Sequence, residues 1–319
     1  MARIVVLDGH TVNPGDLGWE RLAALGELSV HARTPPELLV ERSLGADVLV
    51  TNKTSIDAPA LAALPGLVGI SVLATGVDAV DGAAARERGV VLCNVPAYST
   101  ASVAQHTIAL LLELTSHVGL HAAAVRAGEW ETSEDFTFWK EPLRELAGET
   151  FGVVGLGAIG QRVATLARAL GMHVVATPSR RLLTPPAGVE YRSLDALLAE
   201  ADVVSLHCPL TEQTRRLVRR ERLLTMRPNA LLVNTARGAL IDEADLADAL
   251  ARGVIAGAAL DVLGVEPPPP DHPLLRAPRC LVTPHQAWTS RSARERLLAV
   301  TVDNVRGILE GRPQNVVNA

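Results

Sequence analysis

The chain has 319 residues, longer than one small core usually organises, so two domains are the better expectation. It is 48% hydrophobic but only 3% aromatic, so its interior must rest on Val, Leu, Ile and Ala, the usual filling of parallel sheets covered by helices. A formal net charge of -5 argues against broad electrostatic binding to nucleic acid or an anionic membrane, and neither is an expected partner.

Three cysteines, Cys93, Cys208 and Cys280, cannot all pair and lack metal-ligand spacing, which suits a reduced cytoplasm and no metal site. Residues 3–7 are apolar, but Asp8 follows at once and no basic segment with a longer apolar run exists, so a first strand is expected and not a signal peptide. No stretch approaches the ~18 consecutive apolar residues of a membrane helix. A soluble, cytoplasmic protein is the expectation.

Short apolar runs alternate with longer helical patterns, the signature of βαβ units. In the first third the strand candidates are 3–7, 47–51, 67–73 and 90–93, with helical stretches at 18–25 and 58–64. A long helix follows: Ser99, Thr100 and Ser102 offer capping hydroxyls, and Val103, Thr107, Leu111 and Leu114 recur at helical spacing. Residues 128–149 are richer in charge and aromatics and poorer in periodicity. A second strand series comprises 151–155, 173–177, 202–207, 230–234, 255–260 and 280–282, separated by helical patterns such as 160–170 and 243–251. The last helix, 291–309, has no strand after it and is expected to fold back on the first domain. The chain therefore reads as α/β, with two tandem domains on parallel sheets: 1–97 completed by 289–319, and 98–288.

Gly155-Leu156-Gly157-Ala158-Ile159-Gly160 is a GxGxxG between an apolar strand and a helical pattern, a context that makes it a dinucleotide fingerprint. Gly155 permits the tight turn, Gly157 lets the backbone approach a pyrophosphate, and Gly160 allows close helix–strand packing. The phosphates are expected at the helix start beside Ala158 and Ile159, where free N–H groups and the helix dipole favour anions. An Asp or Glu about 20 residues on would bond the ribose of NAD. Here Val175-Ala176-Thr177-Pro178-Ser179-Arg180-Arg181 offers no carboxylate, and Thr177 stands where it is common. The expectation is that Ser179 with Arg180 or Arg181 holds the 2′-phosphate of NADP, which is favoured over NAD. An ordinary polar loop is the bland alternative.

Three later stretches put ionisable groups at strand ends, where ligands of open α/β sheets bind. They are Asn234-Thr235-Ala236-Arg237-Gly238, Asp261-Val262-Leu263-Gly264-Val265-Glu266-Pro267, and Thr283-Pro284-His285. Together, in this order behind the fingerprint, they resemble the D-isomer-specific 2-hydroxyacid dehydrogenase family over nearly the whole chain. The resemblance implies two Rossmann-like domains, a flavodoxin-like substrate domain and an NAD(P)-binding domain, whose cleft closes on a small 2-keto or 2-hydroxy acid.

By that resemblance Arg237 binds the substrate carboxylate and polarises its carbonyl. His285 gives and takes the proton, and Glu266 bonds the other imidazole nitrogen. Reducing a keto acid creates an alkoxide beside a fixed carboxylate, so a donor titrating near neutrality and a planar cation suit the chemistry in any case. The resemblance also places Thr235, Ala236, Asp261, Val103, Cys208 and Pro209 at the cofactor, Asp261 on the nicotinamide carboxamide. Lys53, Thr75, Gly76 and Trp288 are the substrate candidates, the loop Leu73-Ala74-Thr75-Gly76-Val77-Asp78 holding the carboxylate through backbone N–H groups. Thr51-Asn52-Lys53-Thr54, the run from Tyr98 to His106, the Trp130 to Trp139 segment and Trp288 resemble the glycerate dehydrogenase (hydroxypyruvate reductase) group. A homodimer is implied by resemblance alone. Two alternatives stand: a dehydrogenase of another small oxyanion, such as a phosphonate or phosphite, and a dinucleotide-sensing regulator without physiological turnover.

Overall fold

A parallel strand covered by helices on both faces must bury every side chain, and Val48–Thr51 and Gly69–Val72 do so at each position. They lie in the first of two units into which the computed structural model divides, residues 1–99 with 289–319 and residues 100–288. Residues 1–179 and 182–319 are described.

The first unit holds β1 (Arg3–Val6), β2 (Glu27–Val30), β3 (Val48–Thr51), β4 (Gly69–Val72) and β5 (Val91–Cys93). All pairings are parallel, in the order β2-β1-β3-β4-β5, which is the flavodoxin-like arrangement. Asp57 and Asp81 cap the short helices Ala58–Ala62 and Gly82–Glu87 by accepting from the amides three residues on.

The C-terminal helix Arg291–Leu309 belongs to this unit and lies on β4, so closely that a side chain at Gly69 would meet Ile308 Cγ2 at 2.7 Å. Buried Asn304 donates to the Asn94 carbonyl at 2.8 Å and accepts from Asn315 at 2.8 Å. Arg294 clamps the start of the helix to the chain's beginning, with two hydrogen bonds to Asp16 at 2.7 and 2.6 Å and one to the Val12 carbonyl. The tail then runs beside β5, where Val317 donates to Leu92 and Asn318 accepts from it.

The second unit holds β6 (Thr150–Val154), β7 (His173–Ala176), β8 (Val189–Tyr191), β9 (Val203–Leu206), β10 (Leu231–Asn234), β11 (Gly257–Leu260) and β12 (Cys280–Val282). Their order is β12-β11-β10-β9-β6-β7-β8, again wholly parallel. The chain leaves β6 for β7 on one side and returns to β9 on the other, so the sheet's direction of winding reverses between β6 and β9. Ligands of such sheets bind at that switch, beyond the carboxyl ends.

One face of this sheet packs Leu197, Leu206, Leu232, Leu246 and Leu260; the other packs Phe151, Val153, Val163 and Val233 against Leu111. Leu111 comes from the helix Thr100–Ser116, whose Val103 and Thr107 are also buried and whose Leu114 packs at the margin. His117 at φ +48° ends it, and Val118–Arg126 continues after a 60° bend. Residues 127–149 contain no helix or strand.

Two strands were not expected from the sequence, β2 and β8. Both lie at sheet edges and carry polar residues, Glu-Leu-Ser-Val and Val-Glu-Tyr, whereas the edge strands β5 and β12 keep the unbroken apolar runs that were expected. Among the described residues no single helix is long and apolar enough to cross a membrane.

Candidate active site

The site residues of the second unit gather because strand order brings their loops together. β9 and β6 are neighbours, so the turn after β6 and residues 207–209 after β9 share one end of the sheet. β10, β11 and β12 are neighbours too, so the loops carrying Arg237, Glu266 and His285 stand side by side.

Gly155 has φ +99°, and a Cβ there would fall 2.5 Å from the Cys208 amide nitrogen. Gly160 is equally constrained, since its Cβ would lie 2.2 Å from the Gly155 carbonyl oxygen. Gly157 differs: it caps the helix Ala158–Ala169 without any side-chain hydrogen bond, and a Cβ there would have nothing within 4 Å. Two glycines thus shape the turn, and the third leaves open space before a helix N-terminus. That combination fits a dinucleotide pyrophosphate. Thr177 supports the same turn, its hydroxyl accepting from the Gly155 amide at 3.0 Å. Ser179 forms an isolated bridge with Leu182, and Arg180 and Arg181 lie outside the described residues. Burial pushes the Cys208 thiol up to about 11, so it stays protonated near neutrality.

Buried Asn234 closes the next loop, its side chain accepting from the Ala236 amide at 3.0 Å and donating to the Arg237 carbonyl at 2.9 Å. The Arg237 guanidinium donates to the Ala236 carbonyl at 2.8 Å. Thr235 hydrogen bonds to Thr107 at 2.9 Å, and Thr107 in turn donates to the Val103 carbonyl, tying the strand end to the long helix.

Asp261 is 1% exposed and organises the loop that carries the histidine. Its carboxylate accepts from Thr283 Oγ1 at 2.6 Å and from the amides of Gln286 and Ala287 at 2.9 and 2.8 Å. Burial raises its pKa, but hydrogen bonds from His106, Thr283 and the two amides outweigh this and hold it below the usual carboxylate range. His106 lies 3.3 Å from the carboxylate and 3.1 Å from Thr283 Oγ1. Sequence reasoning missed both Thr283 and His106 as parts of this network; a His and a Thr 177 positions apart carry no local signal.

His285 adopts φ +50°, uncommon for a side-chain-bearing residue, and its amide donates to the Asp261 and Thr283 carbonyls at 2.8 and 2.9 Å. Its Nδ1 lies 2.6 Å from Glu266 Oε2, while Glu266 Oε1 accepts from the Leu263 amide at 2.9 Å. Arg237, Glu266 and His285 therefore occupy three adjacent strand-end loops, and Trp288 closes the unit three residues after His285. Such a set can bind an anion and move a proton.

The remaining candidates belong to the first unit. Lys53 follows β3, where the Asp8 carboxylate accepts from the amides of Asn52, Lys53 and Thr54 at 2.7, 2.5 and 2.8 Å. Thr75 and Gly76 follow β4; the Thr75 hydroxyl donates to the Val95 carbonyl at 2.9 Å. Among the described residues no group of three or more His, Cys, Asp or Glu could hold a metal ion.

Residues 108–287 match the family model of the D-isomer specific 2-hydroxyacid dehydrogenase NAD binding domain. The chain belongs to that family. It is 43% identical to the hydroxypyruvate reductase of Blautia hydrogenotrophica, with 99% of each chain covered. It is 41% identical to the glycerate dehydrogenase of Methylorubrum extorquens, with 89% of each covered. Among solved structures, the TT0316 protein of Thermus thermophilus aligns with a TM-score of 0.85 at 41% identity, covering 99% of both chains. The family and the glycine turn together make this chain an NAD(P)-dependent oxidoreductase acting between a 2-keto and a 2-hydroxy acid.

Proposed function

We propose that the protein reduces hydroxypyruvate and glyoxylate to the corresponding hydroxy acids, forming D-glycerate from the former, and runs the reverse oxidation. The observation that carries this reading is the 2.6 Å approach of His285 Nδ1 to Glu266 Oε2 beside the Arg237 loop. The similarity to a hydroxypyruvate reductase and a glycerate dehydrogenase supports the substrate class.

In this reading residues 100–288 bind the cofactor. Gly155, Gly157, Ala158, Ile159 and Gly160 hold the pyrophosphate, and Thr177, Cys208, Pro209, Thr235, Ala236, Asp261 and the backing Val103 line the rest. When bound, the nicotinamide supplies the hydride in reduction and takes it back in oxidation. Glu266 accepts the Nδ1–H of His285, so Nε2 is the nitrogen that gains and loses the proton; the imidazolium delivers it from Nε2 to the carbonyl oxygen as negative charge develops there. Arg237 binds the carboxylate and stabilises that oxygen with a planar pair of donors. Lys53, Thr75, Gly76 and Trp288 are assigned to the substrate by the family resemblance.

NADP is favoured over NAD, since position 177 offers a hydroxyl and no carboxylate that would repel a 2′-phosphate. Steady-state reduction of hydroxypyruvate, glyoxylate, pyruvate and phosphonate analogues with each reduced cofactor tests both points. The expected result is the highest kcat/KM with hydroxypyruvate or glyoxylate and a lower KM for NADPH. A clear NADH preference would end the cofactor assignment, and activity confined to phosphonates would end the substrate assignment. Three free thiols suit a cytoplasmic setting.

A homodimer is part of the same proposal. Val118, Leu120, Trp130, Phe136, Trp139 and Leu143 are exposed along one stretch of chain, Phe136 at 88%. Large exposed apolar groups concentrated in this way mark protein interfaces. Sedimentation equilibrium should give a dimer for the wild type and a monomer for Phe136→Asp/Trp139→Asp; a wild-type monomer would contradict it.

A further inference from the structure

Glu266 can orient His285 only if its own turn is rigid, and two successive amides of that turn are held by two different carboxylates. Leu263 N donates to Glu266 Oε1 at 2.9 Å, within the turn. Gly264 N donates to Glu243 Oε1 at 2.7 Å, from outside it. Glu243 opens the helix Glu243–Ala251, where the Asp242 side chain already caps the helix by accepting from the Asp245 amide. Its carboxylate is therefore free of capping duty and reaches the turn.

The second oxygen of Glu243 is also engaged. His272 Nε2 lies 3.2 Å from Glu243 Oε2 and must donate, since a carboxylate oxygen accepts. His272 is 8% exposed, so burial limits how far its ring can follow a wandering partner. The Leu263–Gly264 peptide also rests on Gly238. A Cβ at Gly238 would fall 2.0 Å from the Leu263 carbonyl carbon and 2.3 Å from Gly264 N. The residue before Gly238 is Arg237, so one peptide is held by both the arginine's loop and the Glu243 carboxylate.

We propose that Glu243, itself fixed by His272, is a positioning residue: by holding the Gly264 amide it sets the turn that aims Glu266 at His285 and keeps the arginine and histidine loops in register. The proposal rests on the acid–base reading of the His285–Glu266 pair. It predicts a loss in turnover and not in cofactor binding, because the glycine turn after β6 takes no part in the clamp. A misplacement of about 1 Å at a reacting group can cost about 10²-fold in rate.

The test compares Glu243→Ala, Glu243→Gln and His272→Ala with wild type, and repeats Glu243→Ala in a Glu266→Ala background. The readouts are kcat and KM for hydroxypyruvate, NADPH affinity by fluorescence, and Tm. Glu243→Ala should lower kcat about 10-fold with NADPH affinity unchanged, and Glu243→Gln should restore part of it: its amide oxygen still accepts from Gly264, while its NH2 keeps His272 as a partner only if that ring moves its proton to Nδ1 and accepts at Nε2. His272→Ala should lower kcat in the same direction. In the Glu266→Ala background Glu243→Ala should add little, since both changes act through one carboxylate. A merely structural role would lower Tm and leave kcat at wild type, which overturns the proposal, as would full additivity with Glu266→Ala. Should Glu243→Ala not fold, Glu243→Gln and His272→Ala decide: wild-type turnover in His272→Ala overturns it. Wild-type turnover in Glu266→Ala overturns the acid–base reading and the proposal together. A slow Glu266→Ala beside a normal Glu243→Ala overturns the proposal alone.

Discussion

His285→Ala is expected to lower kcat for keto-acid reduction by about 10²–10⁴-fold, the usual contribution of a positioned general acid, while NADPH affinity stays at the wild-type value. The separation follows from where the imidazole sits. It projects from the loop after β12, held by Asp261 and Glu266, whereas the glycine turn follows β6, which β11, β10 and β9 separate from β12. Removing the ring takes away the proton that must reach the carbonyl oxygen and leaves the dinucleotide turn intact. Stopped-flow reduction with a parallel fluorescence titration reads both quantities. A variant that turns over normally, or one that loses cofactor affinity and turnover together, would show that the imidazole has another task.

Gly155→Ala should be damaging in a different way. The backbone there has φ +99°, a region a Cβ-bearing residue enters only with strain of about 1–3 kcal/mol. The new Cβ would also press on backbone atoms, 2.5 Å from Cys208 N and 2.7 Å from Cys208 Cα, and backbone at the end of a central strand has little room to yield. Overpacking of this kind costs about 1–3 kcal/mol more. The variant should unfold at lower urea than wild type and lose most of its NADPH affinity. Gly157→Ala is the informative partner, because its Cβ meets nothing within 4 Å. It should keep wild-type stability yet bind NADPH weakly, since the added methyl occupies space the pyrophosphate requires. If Gly157→Ala bound as tightly as wild type, the phosphates would have to lie elsewhere.

Much of the architecture is legible in the residues because parallel strands are buried on both faces and read as continuous apolar runs. Val48–Thr51 and Leu231–Asn234 are examples. Edge strands interrupted by polar residues are not legible in this way: Glu27–Val30 and Val189–Tyr191 each carry a Glu, whereas the edge strands Val91–Cys93 and Cys280–Val282 keep an unbroken apolar run and are read from the sequence. The glycine turn and the loops of Arg237, Glu266 and His285 carry local motifs and stand out for that reason. The network that holds them does not. Thr107 with Thr235, His106 with Thr283 and Glu243 with Gly264 are pairs separated by tens to hundreds of residues, and only strand order makes them neighbours. Asp261 is a related case: the motif suggests a cofactor contact, while its buried carboxylate also braces the His285 loop through three hydrogen bonds.

The central claim, that one imidazole gives the proton in reduction and takes it in oxidation, is tested most directly by the pH dependence of kcat/KM in both directions. Reduction needs the protonated ring and should decline as pH rises; oxidation needs the neutral ring and should decline as pH falls, with both breaks reporting the same ionisation in the free enzyme. In His285→Ala the residual rates should lose both limbs. A variant that retained the wild-type breaks would place the proton on some other group and contradict the account.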